Sequence, residues 1–233
     1  MGCSFCATGL GGLKRNLTAS EMLSQIMAIE RQEGIRVSNV VMMGMGEPLD
    51  NYDQTVRFLR LVSSEQGLNI GLRHISLSTA GVVSKIKELA KERLPITLSV
   101  SLHAPNDELR KQIMPVAKKW SVAELIDACK EYQSATTRRI SFEYALMEGV
   151  NDGDIHAQQL AKIMNGLLCH INLIPANPVK ENSFKKPDRN HILHFQKLLQ
   201  QKGLNATIRR TLGADIEASC GQLRGKEKED EAK

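Results

Sequence analysis

Cysteine thiols stand near both ends of the chain. Cys3 and Cys6 are separated by two residues near the N-terminus, and Cys220 precedes Gly221 near the C-terminus. A C-x2-C pair can hold zinc, hold an iron–sulfur cluster, or cycle between dithiol and disulfide. Structural zinc needs four protein ligands, and no second C-x2-C follows in the sequence. The residues alone leave the choice between these uses open.

The other three cysteines lie in different contexts. Cys220 stands in a loop-like segment rather than in an apolar periodic one, which indicates an available thiol rather than a packed one. Acidic and basic residues around it would shift the pKa of this thiol in opposite directions, so its reactivity also stays open. Cys129 and Cys169 lie in apolar patterns and are interpreted as small core residues.

Polar and glycine residues follow several apolar runs. Glu47, after Gly46, places a carboxylate where it could bind a cationic amine, although it could equally be a favourable charge at the start of a helix. His103 could be a ligand, a base or a satisfied core histidine. Similar residues end three other runs: Ser78 and Thr79, Ser101, and Asn177.

Alternating strand and helix patterns must position these residues. Thr18 and Glu21 form a capping box, which predicts a helix ending at Gly34 with Met22, Ile26 and Ile29 inward. Further helices are predicted at residues 52–65, 83–92, 107–114, 122–132, 154–165 and 187–201. Strands are predicted at residues 37–43 (interpreted as buried), 74–78, 96–102, 139–145, 171–174 and 205–210.

This alternation predicts an α/β fold of parallel strands with right-handed crossovers, as in a β/α barrel. The polar residues then fall at the carboxyl ends of the strands, where such folds place their functional sites. Each residue could be a simple turn former, but four such sites in succession favour a binding rim.

Composition and charge limit which partners and which cellular location are expected. The 233 residues carry a net charge of +5 and a pI of about 9.0, with only 4% aromatic residues. The basic pairs are scattered, which is more typical of a solvated surface than of an RNA footprint. An odd cysteine count, no signal-peptide pattern and no membrane-spanning apolar run predict a cytoplasmic, reducing location.

Six motifs, in order along nearly the whole chain, resemble the radical S-adenosylmethionine adenine-C2 RNA methyltransferases. That family modifies an adenosine of 23S rRNA and, in some members, of tRNA. The motifs are MGCSFCATG (residues 1–9), GMGEPL (44–49), LSTAG (77–81), SLHA (101–104), NLIPANP (172–178) and CGQL (220–223). Six motifs in consistent order are far more specific than any one of them.

The resemblance implies a partial (β/α) barrel of the radical S-adenosylmethionine type that lacks its first strand. The catalytic barrel would span residues 1–223, without the family's N-terminal RNA-binding extension, and residues 224–233 would be a charged disordered tail. Cys3 and Cys6 would bind a 4Fe–4S cluster. The residues implied to hold S-adenosylmethionine are Gly46, Glu47, Ser78, Ser101, Leu102, His103 and Asn177.

Cys220 is implied to be the catalytic residue. It would first take a methyl group from one cofactor, and a radical from a second cofactor would then activate that methyl group for addition to C2 of adenine. The implied partners are 23S rRNA and tRNA, with an electron donor such as flavodoxin. The protein would be a cytoplasmic monomer without membrane contact.

Three alternatives stay open. A related class methylates C8 of the same adenosine. The family's cluster loop is C-x3-C-x2-C, and its first cysteine would lie two positions before Met1, so we also consider an inactive fragment. An RNA-binding module without chemistry is the third, for which the scattered charge is poor support.

Overall fold

A single parallel sheet organises the molecule. The computed structural model describes residues 1–177, 179, 182–210 and 221–222. Within these residues the sheet has six strands in sequential order, and every neighbouring pair is parallel. The strands are β1 (Val40–Met42), β2 (Ile75–Thr79), β3 (Thr97–Ser101), β4 (Ile140–Leu146), β5 (Cys169–Pro175) and β6 (Ala206–Ile208).

Helices connect the strands, which confirms the predicted α/β partial barrel. Parallel neighbours need such crossover connections because a tight turn cannot join them. The helices are α1 (Ala19–Glu33), α2 (Tyr52–Val62), α3 (Val83–Glu92), α4 (Asp107–Ile113), α5 (Val122–Thr136), α6 (Asp154–Ile163) and α7 (Arg189–Gln201).

The first helix shows how local signals set helix ends. The capping box is present: the Thr18 side chain accepts from the backbone N–H of Glu21, and the Glu21 side chain accepts from that of Thr18. Gly34 ends the helix at φ 64°, as predicted. Ile26 is buried, but the prediction for Ile29 was wrong, since this side chain is 51% exposed.

The two faces of the sheet differ in polarity. One face carries buried apolar residues such as Leu77, Leu98 and Phe142, which belong to one core cluster with apolar residues of the helices. The other face carries polar residues in register across three strands, with Ser101 opposite Glu143 and Glu143 opposite Asn172. The inner face of this partial barrel is therefore polar, as a site for a polar ligand requires.

The first strand departs from its prediction. The apolar run at residues 37–43 was interpreted as a buried strand, but β1 spans only Val40–Met42, and Val41 is 66% exposed. Among the described residues β1 pairs with β2 alone, so it lies at an edge of the sheet. Val41 pairs with Ser76, so its side chain lies on the polar inner face of the sheet and not against the helices.

The remaining predictions concern the other three cysteines, the C-terminal tail and membrane-spanning helices. Cys129 and Cys169 are buried with free thiols, which confirms their interpretation as core residues. Cys220 and the predicted tail, residues 224–233, lie outside the described residues. Within the described part of the chain, every helix is too short or too polar to span a bilayer.

Candidate functional site

The carboxyl ends of β1 to β5 form a rim that carries most of the predicted site residues. After β1 the backbone turns through Met45 at φ 54° and Gly46 at φ 140°. A Cβ added at Gly46 would meet nothing within 4 Å, so the backbone there faces open space. The positive φ nevertheless favours glycine at this position.

Glu47 joins the ends of β1 and β2. Its Oε1 accepts from the Leu49 backbone N–H at 3.0 Å, and its Oε2 accepts from that of Ala80 at 2.6 Å. Burial raises the pKa of this carboxyl group, while these hydrogen bonds lower it. The carboxylate thus caps a short 3-10 turn, and it also crosses to the next strand end. Its two oxygens have about four acceptor sites, so capacity for a ligand donor remains.

Arg110 of α4 joins the ends of β2 and β3 and was missed by the sequence reasoning. Its side chain is fully buried. Nε donates to the Leu102 carbonyl at 3.1 Å, and Nη2 donates to the carbonyls of Ala80 at 2.7 Å and Ser101 at 3.2 Å. The signal that could have found it is its place three residues before the buried Ile113, on the same helix face.

His103 is held on the inside of the rim. It is buried with φ 55°, and its Nδ1 accepts from the Ala145 backbone N–H at 2.9 Å. Burial, with the charge of Arg110 as a smaller cause, lowers the pKa of this imidazole to about 3. The ring is therefore neutral at physiological pH, and its proton resides on Nε2 because Nδ1 is an acceptor.

Asn151, also missed by the sequence reasoning, supports the backbone on both sides of this contact. Its Nδ2 donates to the carbonyls of His103 at 2.7 Å and Ala145 at 2.5 Å. Its Oδ1 accepts from the Met147 backbone N–H at 2.8 Å. A residue other than glycine is uncommon at positive φ, and these hydrogen bonds offset the energetic cost of that backbone conformation at His103.

Glu143 of β4 continues the network inward. Its carbonyl accepts from the backbone N–H groups of Leu102 at 3.1 Å and His103 at 3.3 Å. Its side chain accepts from Asn172 Nδ2 at 2.6 Å and from Ser141 Oγ at 3.1 Å. Burial raises the pKa of the Glu143 carboxyl group.

The network brings together Glu47, Ser101, Leu102 and His103 from the predicted set. Two further predicted residues, Ser78 and Asn177, stand on neighbouring strand ends. Ser78 is half-buried on β2 opposite Ser99 of β3, and Asn177 is half-buried two residues beyond the end of β5. Both stand at the same edge of the sheet as the network.

The Cys3–Cys6 loop lies against this rim. Ser4 donates its backbone N–H to the Ile113 carbonyl at 3.0 Å, and the Phe5 ring contacts the His103 ring edge-on at a centroid distance of 4.7 Å. Both thiols are free and half-buried. Burial raises the pKa of the Cys3 thiol to about 11, and the neighbouring Cys6 is the second cause of this increase.

The C-terminal motif contacts the same loop. The Ala7 backbone N–H donates to the Gly221 carbonyl at 2.8 Å. A Cβ built on Gly221 would lie 3.5 Å from the Phe5 carbonyl oxygen. Gly221 follows Cys220 in the chain, and Cys220 itself lies outside the described residues.

The two thiols of the loop supply part of the ligand set that an iron–sulfur cluster needs. Two free thiols on one loop, three positions apart, can supply two of its thiolate ligands. No group of three or more His, Cys, Asp or Glu side chains in the described ranges is arranged to hold a metal ion. The pair therefore fits part of a cluster-binding loop.

The buried neutral histidine predicts an acid-dependent loss of stability. In the unfolded chain His103 takes up a proton below its ordinary pKa of about 6.5, whereas in the folded chain it stays neutral down to about 3. Stability from this group is complete above the first value and falls by about 1.4 kcal/mol per pH unit between about pH 6 and pH 4.

Urea unfolding at several pH values measures this slope. The His103→Asn variant, which tolerates positive φ, should lack that part of the acid dependence. The exposed His74→Asn is the control and should retain it. Parallel curves for wild type and His103→Asn would contradict a neutral buried imidazole.

The chain matches one protein superfamily and is similar to curated proteins that share one name. The model of the radical SAM superfamily matches residues 1–159. The chain is 53% identical over its whole length to a probable dual-specificity RNA methyltransferase RlmN from Alkaliphilus metalliredigens, and 56% identical over 226 residues to one from Alkaliphilus oremlandii. It spans 66% of the length of each of these relatives.

Solved structures agree with this similarity. A radical SAM methyltransferase from Sphaerobacter thermophilus superposes with a TM-score of 0.92 at 49% identity, over 95% of this chain and 66% of that one. A domain of a pyruvate-formate lyase-activating enzyme from Bacteroides vulgatus superposes with a TM-score of 0.58 at 18% identity, over 75% of this chain and all of that domain, which shows a shared fold alone.

Proposed function

Because the chain belongs to the radical SAM superfamily, we propose that it forms the catalytic part of a radical S-adenosylmethionine methyltransferase that acts on RNA. The names of its relatives at 53% and 56% identity support this activity. So does its similarity to the methyltransferase from Sphaerobacter thermophilus.

The substrate we propose is an adenosine of 23S rRNA, and of tRNA, methylated at C2. The six motifs and the words "dual-specificity RNA methyltransferase" in the relatives' names support this choice. C2 of adenine is not nucleophilic, so polar methyl transfer cannot reach it, whereas radical chemistry supplied by a cofactor can. The base must also be unstacked from the RNA before it reaches the site.

Cys3 and Cys6 would supply two thiolate ligands of a 4Fe–4S cluster. When bound, the cluster supplies the electron that cleaves S-adenosylmethionine. Both thiols lie on the loop that packs against the rim through Phe5 and His103, so ligands at the two places would be neighbours. An electron donor such as flavodoxin would be needed as a partner.

The rim residues would bind S-adenosylmethionine through complementary charge. Gly46 leaves its backbone open, and Glu47 has acceptor sites for an ammonium group. His103 is neutral, so it does not repel a cationic sulfonium, and its Nε2–H can donate. Ser78, Ser101, Leu102 and Asn177 would line the rest of the cofactor.

The hydrogen bond between Ala7 and Gly221 is the single observation that carries the proposal. Cys220 would carry the methyl carbon as S-methylcysteine and pass it to C2; the carbon–sulfur bond would then break as an added thiol reductant takes up the Cys220 sulfur in a disulfide. This role needs the thiol beside the cluster loop, and the chain neighbour of Cys220 contacts that loop. A protein with the two segments on opposite sides could not use such an intermediate.

Identification of the methylated base tests the proposal. The full chain is reconstituted anaerobically with iron and sulfide, then incubated with methyl-deuterated S-adenosylmethionine, a reductant and a 23S rRNA transcript. Nuclease digestion and mass spectrometry should find labelled 2-methyladenosine. A Cys3→Ala variant is the control and should bind less iron and give no product.

The other outcomes separate the alternatives. Labelled 8-methyladenosine would replace the C2 assignment by the C8 class. A protein that takes up iron but modifies no RNA would contradict the proposed activity. A protein that takes up no iron would favour the inactive-fragment alternative.

A further inference from the structure

Arg110 is buried and positively charged, and its contacts at the rim satisfy only part of its hydrogen-bonding capacity. Nε and Nη2 donate to three carbonyls, but Nη1 is buried without a hydrogen-bond partner among the described residues. Within those residues it also forms no ion pair with a carboxylate. A buried cation of this kind is costly unless negative charge lies near it.

The Cys3–Cys6 loop is the neighbour that could supply this charge. Cys3 packs in a small apolar cluster with Ala80, Leu109 and Ile113. The Ala80 carbonyl accepts from Arg110, and the Ile113 carbonyl accepts from Ser4. Arg110 and the residue after Cys3 therefore donate hydrogen bonds to backbone carbonyls of the same cluster in which Cys3 packs.

The guanidinium group keeps its positive charge in this buried place. Burial lowers the pKa of Arg110 to about 10, which is still above neutral pH. Because the interior has a low effective dielectric, this charge acts more strongly on neighbouring groups than it would in water.

We propose that Arg110 is the positioning residue that gives the Cys3–Cys6 loop a positive electrostatic potential, so that the loop favours an anionic sulfur group. That this group is a thiolate-ligated iron–sulfur cluster rests on the proposed function, whereas the potential at Cys3 does not. A nearby cation stabilises the reduced, more negative form of a cluster and so raises its reduction potential.

Two thiol reagents of opposite charge test the potential without a cluster. The Cys3 thiolate attacks the sulfenyl sulfur of the anionic sulfonatoethyl or the cationic trimethylammonium-ethyl methanethiosulfonate, forms a mixed disulfide and displaces methanesulfinate. The ratio of the two rates therefore cancels the thiolate fraction and reports the local electrostatic potential. The full, cluster-free chain is used in a Cys6→Ser background. Modification of Cys3 is followed by proteolysis and mass spectrometry.

In the Arg110→Met variant, which lacks this charge, the rate with the anionic reagent divided by the rate with the cationic reagent should fall about tenfold. Arg110→Lys, which keeps the charge, should stay close to wild type. Arg60→Met is the matched control, because it removes an equal charge from a side chain that is 66% exposed. Its ratio should not change. An Arg110→Met ratio within about twofold of wild type would overturn the proposal.

A folding defect would not remove the test. If circular dichroism shows Arg110→Met unfolded, the wild-type ratio at Cys3 is compared with that of N-acetylcysteine amide. A higher ratio in the protein supports the proposal, and an equal or lower one overturns it.

Reconstituted protein gives the second readout. The cluster in Arg110→Met should have a more negative midpoint potential than in Arg110→Lys, measured by a redox titration followed by electron paramagnetic resonance. Equal potentials would refute the effect on the cluster. Failure of wild type to form a cluster would count against the proposed function, and the reagent ratio would still decide the role of Arg110.

Discussion

A Cys220→Ala variant is expected to lose RNA methylation completely. The proposed reaction passes the transferred carbon through the sulfur of Cys220, and alanine has no atom that can carry it. The assay is transfer of deuterated methyl from S-adenosylmethionine to the 23S rRNA transcript. Wild type incubated with the cofactor but without RNA should also show a methylated Cys220 peptide by mass spectrometry.

Cys169→Ala is the matched control for this prediction. Cys169 is a buried free thiol at the start of β5, away from the rim, and its loss should cost about 1 kcal/mol of stability without loss of activity. Iron content should equal that of wild type in both variants. Methylation by Cys220→Ala at the wild-type rate would show that the carbon does not pass through this sulfur.

Asn151→Ala is expected to lower the free energy of unfolding by about 3 kcal/mol. The change leaves the carbonyls of His103 and Ala145 and the N–H of Met147 without their partners in a buried place. Each buried polar group left unpaired costs about 1 kcal/mol or more. Urea unfolding measures the effect.

Asn165→Ala is the control, because Asn165 is exposed in the turn after α6 and should change stability by less than about 0.5 kcal/mol. If Asn151→Ala unfolded at the wild-type urea concentration, the view that these bonds hold the His103 turn would be wrong. A stability loss together with a weaker contact of the His103 segment, seen as faster hydrogen exchange at Ala145, would support it.

The rim network contributes both to stability and to a site that can bind a ligand. Glu47 bonds to Ala80, Ala80 to Arg110, and Arg110 to Ser101 and Leu102, so three strand ends share one set of hydrogen bonds. Its members are mostly backbone groups fixed by buried side chains. Such a rim is preorganised, which lowers the cost of ordering a bound ligand.

Local patterns in the sequence were sufficient for the elements and for their order. The capping boxes at Thr18 and Ser121 each use a hydrogen bond over three residues, and such contacts form wherever the local chain is helical. Alternating strand and helix patterns predicted parallel strands, and the polar strand ends predicted the rim. These features are readable because each depends on neighbours along the chain.

Exposure and long-range hydrogen bonds were decided by the tertiary structure. Ile29 and Val41 belong to apolar patterns but are exposed, because burial depends on what packs against them. Arg110 lies in the short helix α4, yet it bonds to a carbonyl 30 positions away, and Asn151 bonds to one 48 positions away. Such partners are set by how the strands come together, which local spacing does not encode.

The contact between the two ends of the chain was also decided by the tertiary structure. The sequence alone predicted a chemical role for the cysteine pair and for the C-terminal cysteine motif, because residue types and short spacings define them. Only the folded sheet brings Ala7 against Gly221, since the separation of the two segments in space depends on every strand and helix between them.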